Sequence, residues 1–128
     1  MDGAIGVTLD TIDKDGLRPE VLVLKRYVPW QERVTTHADS SHLKFVVYPA
    51  VDGSWRAQTI QVYVGEFRPV RCSFPKSWWG MRGDQMDTAT GLPGCTFCHV
   101  NGFTLGHKTK EGAVALANLA LHLNRNPA

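Results

Sequence analysis

No apolar run in this sequence approaches the ~18 residues that a membrane span requires, and residues 1–4 (MDGA) lack the basic start and apolar core of a secretion signal. Neither a membrane protein nor a secreted disulfide scaffold is expected. Cysteine is scarce. The three present, Cys72, Cys95 and Cys98, cannot all pair within one chain, so reduced intracellular thiols are the expectation. Charge of one sign is not in excess either. With a net charge of +2 and 43% apolar residues, the chain does not read as disordered. Internal repeats and low-complexity tracts are missing, which excludes a repeat architecture. What remains is one domain's worth of chain: 128 residues should bury somewhat more than ~65% of their unfolded surface and fold without metals or disulfides.

Charge is more informative in its distribution than in its sum. Residues 1–20 carry five acids against two bases. Residues 53–112 carry seven bases (Arg56, Arg68, Arg71, Lys76, Arg82, Lys108 and Lys110) against four acids. A moderately basic middle can face an anion, although a solvated mixed-charge surface has the same composition.

Residues 1–19 are polar and Asp-rich and read as a lead-in segment, with one short strand near residues 5–9. The β-branched run at 21–28, bounded by Pro19 and Pro29, reads as a strand. Pro29 suits the first turn of a short helix over residues 30–36. The strongest local signal is the pair 43–51 and 55–64 around Asp52-Gly53-Ser54, a β-hairpin. In its second arm Trp55, Ala57, Thr59, Gln61 and Tyr63 share one face, while Arg56, Gln58, Ile60, Val62 and Val64 share the other. Neither face is cleanly apolar, so the pattern leaves the orientation open.

Seven of the twelve glycines fall within residues 80–112. A short helix is expected at about 84–89 between Gly83 and Gly91, then a strand at 95–100 and a glycine-bearing loop at 101–108. A helix follows at about 110–124, with Thr109 as N-cap and Glu111 well placed near its positive end. Ala113, Leu116, Ala117, Ala120 and Leu121 make its core stripe. Val114, Ala115, Leu119 and Leu123 fill the other faces, so the helix should be buried on more than one side, one of them against a partner.

Three constellations carry candidate chemistry. Cys95-Thr-Phe-Cys98-His99 matches the CxxCH attachment pattern of c-type haem. However, it lies in a strand-like run and no methionine follows it as a second axial ligand. Zinc would draw on Cys95, Cys98, His99 and His107, but Thr-Phe is poor turn chemistry for a CxxC knuckle, and strand geometry would send the two thiols to opposite faces. Small apolar thiols packed in a strand are the simpler reading. The second constellation is residues 99–109, a strand ending in a glycine loop that leads into a helix, with His107, Lys108 and Lys110 beside it. That is the chemistry of a phosphate cradle, although GxxxxGK[ST] is absent and an ordinary strand–turn–helix joint fits equally. The third is Ser77-Trp78-Trp79-Gly-Met-Arg82, where an exposed Trp beside an Arg can stack a base and a buried Trp is simply core.

Pro29-Trp30-Gln31-Glu32, Phe45-Val-Val-Tyr48, Gly53-Ser-Trp55-Arg56-Ala-Gln58, residues 78–82, Gly91-Leu-Pro-Gly-Cys95-Thr-Phe97 and residues 99–112 resemble successive blocks of the eukaryotic Myg1-like family. Its members are catalogued as metal-dependent protein hydrolases, are similar to DHH-type phosphoesterases and are described as RNA exonucleases. The resemblance runs from about Val21 to Leu121 and covers the family's C-terminal part. The larger metal-binding domain with its Asp-His-His signature has no counterpart here. Three departures stand out: Leu105-Gly106 where the family usually has Gly-Gly, Gly83 where an acid usually follows Arg82, and Cys98 where Val is common. The last makes the CxxCH string an accident of substitution.

From the residues we expect an α/β fold, a mixed and largely antiparallel sheet packed with a long C-terminal helix. The resemblance implies that residues 20–128 form a substrate-binding domain for a metal-dependent phosphodiesterase, an RNA 3′-to-5′ exonuclease. It implies no cofactor or metal on this chain, and divalent ions, manganese above all, in the N-terminal catalytic domain. That domain and RNA or another phosphodiester are the implied partners, and the setting is mitochondrial or nuclear; a second copy in a homodimer is the partner that the apolar helix faces allow. His99, Asn101, Gly102, Gly106, His107, Lys108, Thr109 and Arg82 are the implied phosphate-binding residues, with Trp78 and Trp79 as base-stacking candidates. The alternative is a non-catalytic interaction or dimerisation module.

Overall fold

The computed structural model describes residues 11–13, 20–36, 40–63, 65–66 and 69–125; the strand expected near residues 5–9 lies outside them. Five strands form one sheet: β1 (Val21–Val23), β2 (Phe45–Pro49), β3 (Trp55–Thr59), β4 (Cys95–Cys98) and β5 (Thr104–His107). Their order is β1-β2-β3-β5-β4, with β1 and β2 parallel and every other pair antiparallel. The α/β class and the mixed, largely antiparallel sheet are as expected. The hairpin β2–β3 turns through Asp52 and Gly53. Gly53 takes φ +90, and the Asp52 carboxylate accepts from Ser54 N–H at 3.0 Å, holding the bend in place. The second arm is shorter than the sequence pattern suggested and ends at Thr59.

β5 is the element that local pattern did not show. Residues 101–108 were expected to be a loop, yet Thr104–His107 is an inner strand between β3 and β4. Its glycine, a weak strand former, leaves room for a neighbour's side chain. A Cβ on Gly106 would lie 2.3 Å from Thr96 Oγ1 and 2.9 Å from the Phe97 ring.

One layer of helix covers one face of the sheet. α3 (Lys110–Arg125) packs across β1, β2, β3 and β5. Val21, Val23, Phe45, Val47, Ala57 and Leu105 meet Ala113, Leu116, Ala117 and Ala120 of α3 in the larger core. The open question of β3 orientation is settled by this packing: Ala57 and Thr59 are buried and Trp55 packs on the α3 side, while Arg56 and Gln58 turn to the other face. A smaller core on that other face gathers Leu22, Leu24, Val46 and Ile60 beneath Trp30 and Val34, the latter on α1 (Gln31–Thr36).

The second apolar flank of α3 finds its cover inside the chain. Segment 72–79, with the 3-10 turn Lys76–Trp78, contributes Phe74 and Trp78 to the core against which Leu119 and Leu123 pack. Asn124 Nδ2 donates to Ser73 O at 3.0 Å, and Phe45 and Phe74 stack at 4.7 Å, worth about 0.5–1.5 kcal/mol beyond area burial. Among the described residues the large apolar side chains left exposed are Tyr27, Val51, Val62, Tyr63 and Val100, none of them on α3.

Both sheet edges are capped by short pairings. Asp13 N–H donates to Val23 O at 2.8 Å and Lys25 N–H to Thr11 O at 2.7 Å, so part of the lead-in closes the β1 edge. Gly80 N–H to Cys98 O and Cys98 N–H to Met81 O, both 2.9 Å, close the β4 edge just before α2 (Gly83–Thr90). Arg71 is a further clasp. Its guanidinium donates to Ser40 O (2.7 Å), Leu43 O and Val34 O (both 3.0 Å), joining α1 to the segment that follows it.

Candidate functional site

The phosphate-binding residues implied by the sequence do not form one loop. They divide between the two ends of the β4–β5 hairpin. His99, Asn101 and Gly102 lie at its turn, while His107, Lys108 and Thr109 lie at its open end, where Cys95 pairs with His107. Four strand residues separate the ends, about 13 Å at ~3.3 Å per residue.

At the open end His107 is 5% exposed and sits in a socket built by two glycines. A Cβ on Gly94 would lie 2.8 Å from the imidazole and one on Gly112 would lie 2.0 Å from it. These glycines admit a ring. Thr109 N–H meets Nδ1 at 3.0 Å, so Nδ1 accepts, and Nε2 therefore carries the proton it donates to Pro93 O at 2.7 Å. Both ring nitrogens are thus engaged in holding the β5–α3 junction. Thr109 caps α3 as expected, its Oγ1 accepting from Gly112 N–H at 3.0 Å. Lys108 is exposed at the junction, and its backbone N–H donates to Gly94 O at 3.0 Å. Lys110 is tied to Asp13 at 2.6 Å, which leaves Lys108 the projecting cation of the pair.

At the turn end the glycine again accommodates a ring. Gly102 (φ +72) is buried, and a Cβ there would lie 2.2 Å from the Trp79 indole. Trp79 is half-buried and its Nε1–H donates to Phe74 O at 3.0 Å, while Lys76 Nζ lies 5.9 Å from its ring centre. Trp78 is 2% exposed within the core and presents no ring face for a base, contrary to its candidacy. His99 is exposed, its Nδ1 accepting from Asn101 N–H at 3.0 Å. Arg82 is exposed at the start of α2 and pairs with Phe97 on the outer side of β4, across that strand from His107.

The two cysteines of the CxxCH string do not diverge as strand alternation required. The register shifts between Cys95 and Phe97, and that bulge leaves both thiols buried in the same core. Cys95 Sγ donates to Leu92 O at 3.1 Å, and burial raises its thiol pKa. Burial alone pushes Cys98 up to about 12. All three cysteines are free thiols. Among the described residues no three His, Cys, Asp or Glu side chains come together as a metal site, and no helix is long and apolar enough to cross a membrane.

A second grouping went unnoticed in the sequence. Tyr48, Arg56, Gly106 and Phe97 stand opposite one another on β2, β3, β5 and β4, one row across the face away from α3. Because Gly106 has no side chain, Phe97 lies over β5 and meets the Arg56 guanidinium at 4.6 Å. Tyr27 extends the row, packing edge-on to Tyr48 at 5.1 Å. Tyr48 Oη donates to Gln58 Oε1 at 2.7 Å, and burial raises the phenol pKa, which keeps it a donor. The one available signal was the placement of Arg56 and Gln58 on a common strand face.

A family model described as "Uncharacterised protein family (UPF0160)", MYG1_exonuc, matches residues 7–121. The chain is 35% identical over 106 residues to Homo sapiens "MYG1 exonuclease", covering 79% of this chain and 28% of that protein. It is 31% identical over 112 residues to Dictyostelium discoideum "MYG1 protein", 84% of this chain and 33% of that one. To the Saccharomyces cerevisiae MYG1 protein it is 31% identical over 114 residues, 86% and 32% respectively. The chain therefore spans about a third or less of the curated relatives it matches. No solved structure matches it.

Proposed function

The chain belongs to the MYG1_exonuc family (UPF0160), and from that membership we propose that it is the substrate-binding part of a metal-dependent phosphodiesterase, an RNA exonuclease working on chain ends. The observation that carries this reading is the match to a Homo sapiens protein named exonuclease, confined to 28% of that protein's length. A segment of that size, folded around its own core, suits a module that holds substrate while another part performs the chemistry.

Among the described residues no three His, Cys, Asp or Glu side chains gather into a metal site. On the family resemblance we assign metal chemistry to the remainder of the relatives' length, with manganese the expected ion and that remainder the chief partner. The setting proposed with it is mitochondrial or nuclear. On this chain the β5–α3 junction supports phosphate binding. Lys108 is exposed beside the positive end of a 16-residue helix, and His107 fixes the backbone from which it projects. His99 and Asn101, about 13 Å away along the hairpin, would meet a different part of a bound strand.

Titration of the chain with single-stranded RNA at two salt concentrations tests the reading. Binding that weakens steeply with salt, loses affinity in Lys108→Ala and occurs without manganese-dependent hydrolysis supports it. Hydrolysis that follows the protein through purification would overturn the division of labour. Salt-insensitive self-association without RNA binding would favour the interaction or dimerisation module.

A further inference from the structure

We propose that the sheet face opposite α3 is a platform for single-stranded RNA, in which a base stacks on Tyr27 and the Arg56 guanidinium, backed by Phe97, takes an adjoining phosphate. The proposal rests on the nucleic-acid reading above and places the contact on a surface remote from the β5–α3 junction.

Three independent features converge on this face. The first is continuity: Tyr48, Arg56, Gly106 and Phe97 are register partners on neighbouring strands, and Tyr27 extends the row at 5.1 Å. The second is a glycine whose missing side chain serves the row. With any other residue at 106 the Phe97 ring loses its place over β5, and Arg56 loses the aromatic surface lying 4.6 Å from it. With the ring beneath its central carbon, the planar guanidinium offers an anion a fork of donors that an ammonium cannot imitate. The third is space. An open pocket of about 530 Å³, within the usual range for small-ligand sites, is lined by Tyr27, Tyr48, Pro49, Arg56 and Thr104 among others.

Among the described residues, the smaller core on this face gathers around Leu22, Leu24, Val46 and Ile60, with Tyr48 packed against it, and Arg56, Gln58, Phe97 and Thr104 beyond it stay partly exposed. Tyr27 is 50% exposed, an unusual state for a ring in a row of packed groups. Charge selects the occupant. Asp52, at the pocket rim, is turned to Ser54, whose N–H and O–H it accepts at 3.0 and 2.6 Å. The row itself contributes Arg56 as its charged group. Aromatic rings interleaved with a cation on a sheet whose other face carries the helix are what stacked bases and a phosphate chain require.

The test uses the 128-residue chain and a fluorescein-labelled octauridylate, read by anisotropy across a salt series. Tyr27→Ala should weaken binding between about fivefold and about a hundredfold, the span of base–aromatic stacking. Arg56→Gln should flatten the slope of log affinity against log salt by about 0.7, the release expected from one phosphate contact on a single strand. Both side chains are at least partly exposed, and a melting temperature equal to the parent's confirms that each variant is folded; Arg56→Lys, which keeps the charge without the fork, should also bind less tightly. Affinities within twofold of the parent for all three, with Lys108→Ala alone impaired, would overturn the platform and leave the substrate-binding function standing. Failure of the parent to bind RNA would sink both. A dimer seen by sedimentation and dissociated by Tyr27→Ala would give this face to a second copy and overturn the proposal.

Discussion

Gly112→Ala offers the sharpest check on the reading of the glycines. Gly112 lies in the first turn of α3, and alanine in place of a helical glycine ordinarily stabilises by about 1 kcal/mol. Here the new methyl would lie 2.0 Å from both Cε1 and Nδ1 of His107. The ring has no direction in which to retreat. Gly94 stands against it, and Pro93 O and Thr109 N–H hold its two nitrogens at 2.7 and 3.0 Å. Overpacking costs about 1–3 kcal/mol, and breaking one of these bonds leaves a nitrogen of the buried imidazole without its partner for about 1–3 more. After the propensity gain is subtracted, the variant should be about 1–5 kcal/mol less stable, with a fall of roughly 10 °C in melting temperature at the middle of that range for a domain of this size. Urea unfolding monitored by circular dichroism measures it directly. In a His107→Ala background the same substitution should become neutral or stabilising, a coupling of about 2 kcal/mol or more between the two positions. A Gly112→Ala protein as stable as its parent, or an equal loss in both backgrounds, would refute the socket.

Arg71→Lys should destabilise the fold by about 2 kcal/mol or more despite keeping the charge, because a compact ammonium cannot span Ser40, Leu43 and Val34 carbonyls as the planar fork does; chemical denaturation would read the loss, and unchanged stability would remove the clasp. Cys98 sets an alkaline limit. Burial pushes its thiol from 9.0 up to about 12, so the unfolded chain releases this proton first. Stability from this group is therefore fully present below pH ~9 and is lost as pH rises towards about 12. Cys98→Ala should flatten that part of the stability profile, and native Cys98 should resist alkylation at pH ~8 until the protein unfolds.

The short-range features of this protein are legible in its sequence because a few adjacent residues suffice to specify them. Asp52-Gly53 between alternating arms makes the hairpin, Thr109 caps α3 at the expected residue, and Gly83 and Gly91 bracket α2. The family blocks are equally linear, and the membership they indicated holds. What local pattern did not show was which side chains the glycines clustered in residues 80–112 accommodate. Gly94 and Gly112 admit His107, while Gly102 and Gly106, within the segment 99–109 that suggested a phosphate cradle, admit Trp79 and Phe97.

Gly94 and Gly102 lie 13 and 23 residues from the rings they admit, and Gly106 and Gly112, though only 9 and 5 residues from theirs, sit on a different element from the ring. The same distance in sequence hid β5, whose strand character comes from pairing with β3 and β4 rather than from its own residues. It hid the split of the implied phosphate residues between two hairpin ends and the bulge that turns both thiols inward. It also hid which face of β3 meets α3. Sequence alone determined the hairpin turn, the cap of α3, the helices and the family. Tertiary structure decided which space each glycine leaves and which side chain fills it, because a missing Cβ has no meaning until the group that takes its place has been brought alongside.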